Sequence, residues 1–459
     1  MARSIKERII DNLSSFDDIC ALAMKNDISF AAARLIYKYE LNLDDAIEVS
    51  RKASKMSFID KNNFEKQAYL KKSPRVHRKY VHGILVAAET EDNLNKLERI
   101  INTAFRKGNK QFLEALTIEN DKNPLLISDY DENPNKKTSY YLDDGNYICL
   151  KLPKKDYDFE WDNCLKAFYH EVSHYLDFKH SNYSSESQDV QQVFDELNNS
   201  LLNDFALSFF EENNIPQALQ PVFMKTFDSF RIHLLVKGLE IKKAYQSDDI
   251  YEIEREFIEN KELREKWKME IDEKYPHYSE EEKNQRFEQT IMEKGDLYFD
   301  LHSTICDIYD ALASGTLNSF LHISGHGVPY YSIKNNPLIE FIANIGAIYL
   351  ANGEEVLTYE FGPKLTNDLI NTYTTLIKTK ETRLNQSEID SLGKSPEDLD
   401  NMENIDFNLQ DLIDGEVFKE TTTKELTPNE ENIELKDNPE LMAMLDDTPT
   451  ENITNRKIM

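Results

Sequence analysis

The sequence predicts a mainly α-helical protein with a small β component, that is, an α+β fold. Three observations support this class. The chain of 459 residues is 30% charged and has only 13 Gly and 14 Pro, which is typical of a mostly helical globular protein. Apolar residues recur every three or four positions through long stretches. The clearest β-rich runs, by contrast, are confined to residues 138–152.

Residues 1–120 are predicted to form a helical N-terminal domain, because segments such as 28–37 and 94–105 have apolar residues at helical spacing. The region also contains a group of basic side chains. We interpret this group as a solvated helix face rather than an anion site; its members are Lys71, Lys72, Arg75, Arg78 and Lys79.

Residues 121–385 are predicted to form a second domain. Two β-rich runs, Thr138–Leu142 and Asn146–Leu152, flank Asp143-Asp144-Gly145, a sequence typical of a hairpin turn. The rest of this domain is expected to be helical, with a long charged insertion at 183–300 and further helices at about 161–178, 337–350 and 363–380.

Residues 386–459 are predicted to form a disordered acidic tail. They carry 20 acidic and 6 basic side chains, and so contribute −14 of the formal net charge of −30. Few aromatic residues and scattered Pro, Gly and Thr are typical of disorder. The overall charge argues against general binding to nucleic acid or to anionic membranes, because like charges repel.

Three features predict a cytoplasmic location. Residues 1–13 mix charged with apolar side chains, which indicates a helix rather than a signal peptide. No apolar run approaches the length of about 18 residues that spans a bilayer. The 4 cysteines are far apart and form no CxxC pair, so we expect reduced thiols rather than disulfides or a Cys-type zinc site.

The segment His170-Glu171-Val-Ser-His174 is an HExxH motif. On a helix these two imidazoles share a face and can bind one metal ion, while Glu171 lies beside the ion and can transfer a proton. Asp177 follows on the same face, near the C-terminal end of the helix, where a carboxylate is disfavoured by the helix dipole. We therefore predict that Asp177 hydrogen-bonds to a ligand imidazole.

A zinc site of this type needs a third protein ligand, and three side chains are candidates. His180 has the spacing of the HExxHxxGxxH pattern, although Asp177 stands in place of its glycine. Glu196 has the short downstream spacing of thermolysin-like enzymes but lies in an ordinary amphipathic helix. Glu340 is a single carboxylate among small residues on an otherwise apolar helix. We favour Glu340 and keep His180 and Glu196 as alternatives.

A glycine-rich loop, Ser324-Gly-His326-Gly-Val-Pro-Tyr330-Tyr331, precedes the helix of Glu340. A loop that carries His or Tyr next to a metal site is suited to donate hydrogen bonds to an oxyanion. We predict this role for Tyr331 or His326.

At this point the chain resembles a known group. His170–Asp177 followed by Glu340–Asn344 resembles the zincin module of anthrax-lethal-factor-type gluzincins, and is similar to zincin-like domains of tailed-bacteriophage minor head proteins. In the phage-type domains an Asp-Ile-x-Asp-Ala-Leu stretch precedes a Gly-His-Gly…Tyr loop. Here Asp307–Leu312, Gly325–Gly327 and Tyr330-Tyr331 match that arrangement.

The resemblance implies Zn²⁺ bound by His170, His174 and Glu340, with Glu171 as general base and a tyrosine of Tyr330-Tyr331 assisting. It also implies a zincin-like core within residues 121–385. Because 165 residues lie between His174 and Glu340, the stretch 183–300 would be an insertion into that core.

These observations lead to one main hypothesis and two alternatives. The main one is a zinc-dependent endopeptidase that acts on protein or peptide substrates, with the hairpin at 138–152 offering an edge strand. The first alternative is a virion-associated structural or interaction protein that contacts phage head proteins and keeps the scaffold without protease activity. The second is a toxin-like effector. For the first two we expect the cytoplasm of a bacterial host or a virion, and no nucleic-acid or membrane partner.

Overall fold

The computed structural model describes residues 5–110, 113, 116, 125–131, 138–142, 146–155, 157–178, 184–246, 252–333 and 335–392. In these ranges the protein is mainly helical and contains one small mixed sheet. The predicted fold class, mainly α with a small β component, is confirmed.

Four helices open the chain, and three of them begin at a polar capping residue. The side chains of Ser29, Asn42 and Ser57 each accept a hydrogen bond from a backbone N–H in the first turn, which satisfies a donor that has no partner within the helix. These helices are α1 (Ile5–Asn26), α2 (Phe30–Tyr39), α3 (Leu43–Ala53) and α4 (Phe58–Lys72).

Five short strands form one sheet, in the order β1-β2-β3-β5-β4. The central strands β2, β3 and β5 are parallel, and the edge strands β1 and β4 are antiparallel to their neighbours. The strands are β1 (His77–Val81), β2 (Ile84–Ala88), β3 (Leu126–Ser128), β4 (Tyr140–Leu142) and β5 (Tyr147–Cys149). The two strands of the predicted hairpin therefore pair, while its turn, Asp143–Gly145, lies outside the described residues.

The sheet separates two hydrophobic cores. Alternate residues of a strand point to opposite faces, so Val86 of β2 packs with α5 (Glu91–Lys107) and α6 (Asp158–Phe178), whereas its neighbour Leu85 packs with α2, α3 and α4. The HExxH motif lies on α6, and its helix is thus held against one face of the sheet.

The strands β1 and β2 fall in the segment that was predicted to be wholly helical, and this part of the prediction was wrong. Strand β2 is a run of five apolar residues without alternation, and such a run does not distinguish a buried strand from a helix. The sheet joins strands from both sides of residue 120, which was the predicted domain boundary, and residues 1–388 form one compact unit.

The predicted basic helix face is divided among the end of α4, strand β1 and the segment between them, which contains Arg75. Carboxylates or backbone carbonyls bind four of its five side chains: Asp45 and Glu48 bind Lys72, Glu40 binds Arg75, Glu98 binds Lys79, and the carbonyls of Leu70 and Ser73 bind Arg78.

The remainder of the described chain is helical, including the predicted insertion. A 3₁₀ turn at Ser184–Glu186 precedes α7, and a π-helical turn at Leu317–Leu321 follows α12. The helices are α7 (Gln188–Glu212), α8 (Gln220–Ser229), α9 (Ile232–Gln246), α10 (Glu252–Ile258), α11 (Lys261–Lys274), α12 (Glu280–Leu312), α13 (Val328–Tyr331), α14 (Asn336–Leu350) and α15 (Glu354–Leu392).

Helix α15 kinks at Gly362, whose φ is 77°, and Pro363 opens its second part, as predicted for a helix starting there. The helix continues to Leu392, beyond the predicted start of the disordered tail at Gln386. Residues 393–459 lie outside the described residues. No helix in the described ranges is long and apolar enough to cross a membrane.

Candidate metal centre

The HExxH helix turns its two histidines toward a second helix. On one side of α6 the buried side chains of Phe168, Val172 and Tyr175 belong to the core that faces the sheet. Helix α6 packs against α14, which in turn packs against α12. Because His170 and His174 are one turn apart, both imidazoles reach the space between α6 and α14.

Glu340 enters this space from α14 and meets both imidazoles. Its Oε2 lies 3.3 Å from His170 Nε2, and its Oε1 lies 3.5 Å from His174 Nε2. The two Nε2 atoms are themselves 3.0 Å apart. The ligand atoms of these three residues lie within 4.8 Å of one another. The structure thus brings together the two stretches of sequence that the choice of Glu340 requires.

The side chains of the triad shift one another's pKa values. Burial alone would raise the pKa of Glu340, but the imidazoles of His174, His170 and His326 outweigh it and hold that pKa well below its usual range. Burial disfavours a charged His170, yet the contact with Glu340 and the charge of that carboxylate raise the pKa of His170 to about 9. Burial lowers the pKa of His174 to about 4.

Glu171 lies beside the triad on the same helix and is only 6% exposed. Burial is the main reason that its pKa rises to about 7, with the charge of Glu340 adding to the effect and His170 opposing it. Its carboxylate also accepts a hydrogen bond from the backbone N–H of Tyr141 in the edge strand β4. The strand and the carboxylate are therefore fixed relative to each other.

The partner that orients His170 is Asn344, not the predicted Asp177. Asn344 lies one turn after Glu340 on α14, and its Oδ1 is 3.0 Å from Nδ1 of His170. This contact puts the proton on Nδ1 and directs Nε2 at Glu340. Both carboxylate oxygens of Asp177 instead accept hydrogen bonds from Ser184, at 2.8 and 2.7 Å. Nδ1 of His174 has no hydrogen-bond partner among the described residues.

We expect Asn344→Ala to weaken metal binding by about 10- to 100-fold, because partners that orient a ligand imidazole contribute to metal affinity on this scale. Competition with a chelating dye measures the change. Asn344→Asp keeps an acceptor for Nδ1 and should bind metal nearly as wild type does. Asn198→Ala removes a similar contact to His233, a histidine outside the triad, and serves as the control. Equal losses in Asn344→Ala and Asn344→Asp would contradict this role.

The glycine-rich loop brings His326 and Tyr330 to the triad. The hydroxyl of Tyr330 donates a hydrogen bond to Glu340 Oε1 at 2.6 Å, and His326 Nε2 lies 3.3 Å from Glu340 Oε2. The two rings stack with centroids 4.4 Å apart. The hydroxyl of Tyr331, by contrast, is buried without a hydrogen-bond partner among the described residues. The tyrosine hydroxyl that contacts the triad is therefore that of Tyr330, and the role predicted for Tyr331 stays a prediction.

Of the two alternative third ligands, Glu196 is among the described residues and is not part of the group that could hold a metal ion. Glu196 lies on α7 and accepts a hydrogen bond from Gln192 of the same helix, in an exposed position. His180 lies outside the described residues. Among the described residues, the triad of His170, His174 and Glu340 is the group found able to hold a metal ion.

The residues present fit a metal ion. The buried Oε2 of Glu340 receives no hydrogen bond from the described residues, although two imidazole nitrogens lie close to it. Two imidazoles and one carboxylate are a donor set that Zn²⁺ accepts, with one coordination position left open for water or substrate.

The fold and the site define a mainly α-helical protein that carries a candidate metal-binding triad of two histidines and one glutamate. Comparisons of the chain with protein-family models, with curated proteins and with solved structures found no match. The resemblance to lethal-factor-type zincins therefore stays a prediction that depends on the motifs.

Proposed function

We propose that this protein is a zinc-dependent endopeptidase. The observation that carries the proposal is the buried Glu340 carboxylate, which lies 3.3 and 3.5 Å from the Nε2 atoms of His170 and His174 on the helix that also holds Glu171. Two imidazoles, a distant carboxylate and a glutamate between the histidines are the parts that a zinc-dependent peptidase needs.

Glu171 is the general base in this proposal. Bound zinc would supply a Lewis acid, which makes water more acidic and polarises a substrate carbonyl. Glu171 takes the proton of the attacking water as the new C–O bond forms. It then transfers this proton to the departing amine as the C–N bond breaks. Burial raises the pKa of the Glu171 carboxyl, and a raised pKa makes a carboxylate a better proton acceptor.

Tyr330 and His326 are the hydrogen-bond donors that we assign to the carbonyl oxygen as it gains negative charge. Both lie next to Glu340. Burial and the charge of Glu340 raise the pKa of Tyr330, so its hydroxyl keeps the proton that it donates. This assignment takes Tyr330 in place of Tyr331.

The edge strand β4 is the surface that we assign to an extended substrate. It pairs with β5 on one side and lies at the end of the sheet, and a peptide can add to such an edge through backbone hydrogen bonds. The N–H of Tyr141 in this strand already contacts Glu171. A peptide bound along β4 is thereby close to the general base.

Incubation of the metal-loaded protein with a fluorescently labelled unfolded protein tests the function. We expect fragments to appear, to stop forming when a zinc-chelating phenanthroline isomer is added, and to form again after zinc is restored. The non-chelating isomer is the control. Bound zinc without any cleavage would contradict the proposal and would favour the virion-associated structural role instead.

A further inference from the structure

The loop that carries His326 is attached to a buried aspartate of helix α12. The carboxylate of Asp310 is fully buried and accepts hydrogen bonds from backbone N–H groups of the π-helical turn and of the glycine-rich loop. Oδ1 binds the N–H of Asn318 at 2.9 Å, and Oδ2 binds the N–H of Gly327 at 3.3 Å. The N–H of His326 also donates to this carboxylate. A single charged side chain therefore satisfies three backbone donors.

Glycine is required where the loop meets this carboxylate. A Cβ atom at Gly325 would lie 2.1 Å from Asp310 Oδ2, and the φ of Gly325 is +140°. At Gly315, where φ is +83°, a Cβ atom would lie 2.2 Å from the carbonyl carbon of Gly327. Only a residue without a side chain allows such approaches at a positive φ. The two glycines let the loop close tightly around Asp310.

Asp310 does not belong to the triad, but the side chains that its loop carries do reach it. His326 is bonded through its backbone to Asp310, and its ring lies next to Glu340. Tyr330 follows in the short helix α13, which starts directly after Gly327, and donates to Glu340. Any shift of the backbone at residues 326 and 327 would move both donors relative to the metal centre.

We propose that Asp310 is a positioning residue that holds the loop so that His326 and Tyr330 face the reacting carbonyl. This inference rests on the proposed function. Asp310 makes no contact with substrate or metal; it acts through the two donors. Its loss therefore lowers the rate of the chemical step and leaves substrate affinity nearly unchanged. The three ligands lie on α6 and α14 and not on this loop, so metal affinity falls by less than kcat does.

The main test is Asp310→Asn. Asparagine keeps one acceptor oxygen but presents an NH₂ group to a backbone N–H, so at least one buried donor loses its partner. In the zinc-loaded protein we expect kcat to fall by about 100-fold with an unchanged KM, as for a small displacement of catalytic groups. In apo protein, hydrogen exchange over residues 315–331 should be about tenfold faster or more, with unchanged exchange over residues 158–178.

Two further variants make the test selective. Asp177→Asn is the matched control, since Asp177 is also buried and accepts two hydrogen bonds from Ser184; it should leave kcat within about threefold of wild type. Gly325→Ala pushes the loop away from Asp310 without changing the core helix, and should reproduce the loss of kcat if Asp310→Asn fails to fold. A double variant with Tyr330→Phe should lose less than the product of the single losses, because part of the effect of Asp310 passes through Tyr330.

The outcomes separate the two proposals. A wild-type protein that binds zinc and cleaves nothing would contradict the proposed function, and the exchange rates would then decide whether Asp310 holds the loop. Normal exchange over residues 315–331 in Asp310→Asn would overturn the positioning role. A loss of metal affinity as large as the loss of kcat would overturn it too, because a general structural defect gives that result. Losses of Asp310→Asn and Tyr330→Phe that multiply in the double variant would also overturn it.

Discussion

Replacing Glu171 by Gln is expected to abolish peptide hydrolysis while the protein keeps its zinc. The substitution preserves the size of the side chain and removes the carboxylate that accepts a proton from water. General acid–base catalysis contributes about 10²- to 10⁴-fold, so kcat/KM should fall by at least the lower value. Glu171 is not one of the three ligand residues, so zinc content should stay at the wild-type level. Cleavage of a labelled unfolded protein and metal analysis of the same sample measure both quantities.

Glu160→Gln is the matched control for this prediction. Glu160 lies on the same helix, where it accepts the backbone N–H of Lys155 in an exposed position, so the same chemical change occurs away from the triad. Its activity should equal that of wild type. Undiminished hydrolysis by Glu171→Gln would exclude the mechanism, and loss of zinc in that variant would show that Glu171 acts in metal binding instead.

The helices of the site could be predicted because local patterns determine them. Pro337 lies in the first turn of α14, and the apolar residues that follow recur at helical spacing, which predicts the helix. Glu340 shares one face of that helix with small residues, and this predicts the side to which its carboxylate points. The approach of Glu340 to His174 could be inferred for the same reason: each helix carries its polar side chains on a face of small residues, and burial of a carboxylate is costly without a charged partner.

Features that depend on exact backbone geometry could not be predicted. Neighbouring residues of a helix point about 100° apart, so the residue at which α13 begins decides which of the two adjacent tyrosines reaches Glu340, and it is Tyr330. The predicted hydrogen bond from Asp177 to an imidazole depended only on the helix face of Asp177. In the structure the N–H and hydroxyl of Ser184 donate to both of its carboxylate oxygens instead. The role of Asn344 was missed, although it lies one turn after Glu340 on the same face, and this spacing was the available signal.

Removal of a single triad residue is expected to abolish stable zinc binding. His174→Ala and Glu340→Gln should each reduce zinc content after dialysis from about one ion per chain to near zero, because a catalytic zinc site depends on three protein ligands. The loss of affinity should exceed the range of about 10- to 100-fold expected for a residue that only orients a ligand. Metal analysis and competition with a chelating dye measure content and affinity.

Each of these variants has a matched control with the same chemical change. Glu196→Gln tests the alternative carboxylate, which lies on an exposed face of α7, and His233→Ala removes a buried imidazole that contacts Asn198 instead of the triad. Both should keep wild-type zinc content. If His174→Ala loses zinc while Glu340→Gln retains it, the third ligand is not Glu340, and zinc analysis of Glu196→Gln and His180→Ala then identifies the residue that replaces it. Because Glu340 holds the two histidines together in the metal-free protein, that result would also mean that its carboxylate serves charge balance rather than coordination.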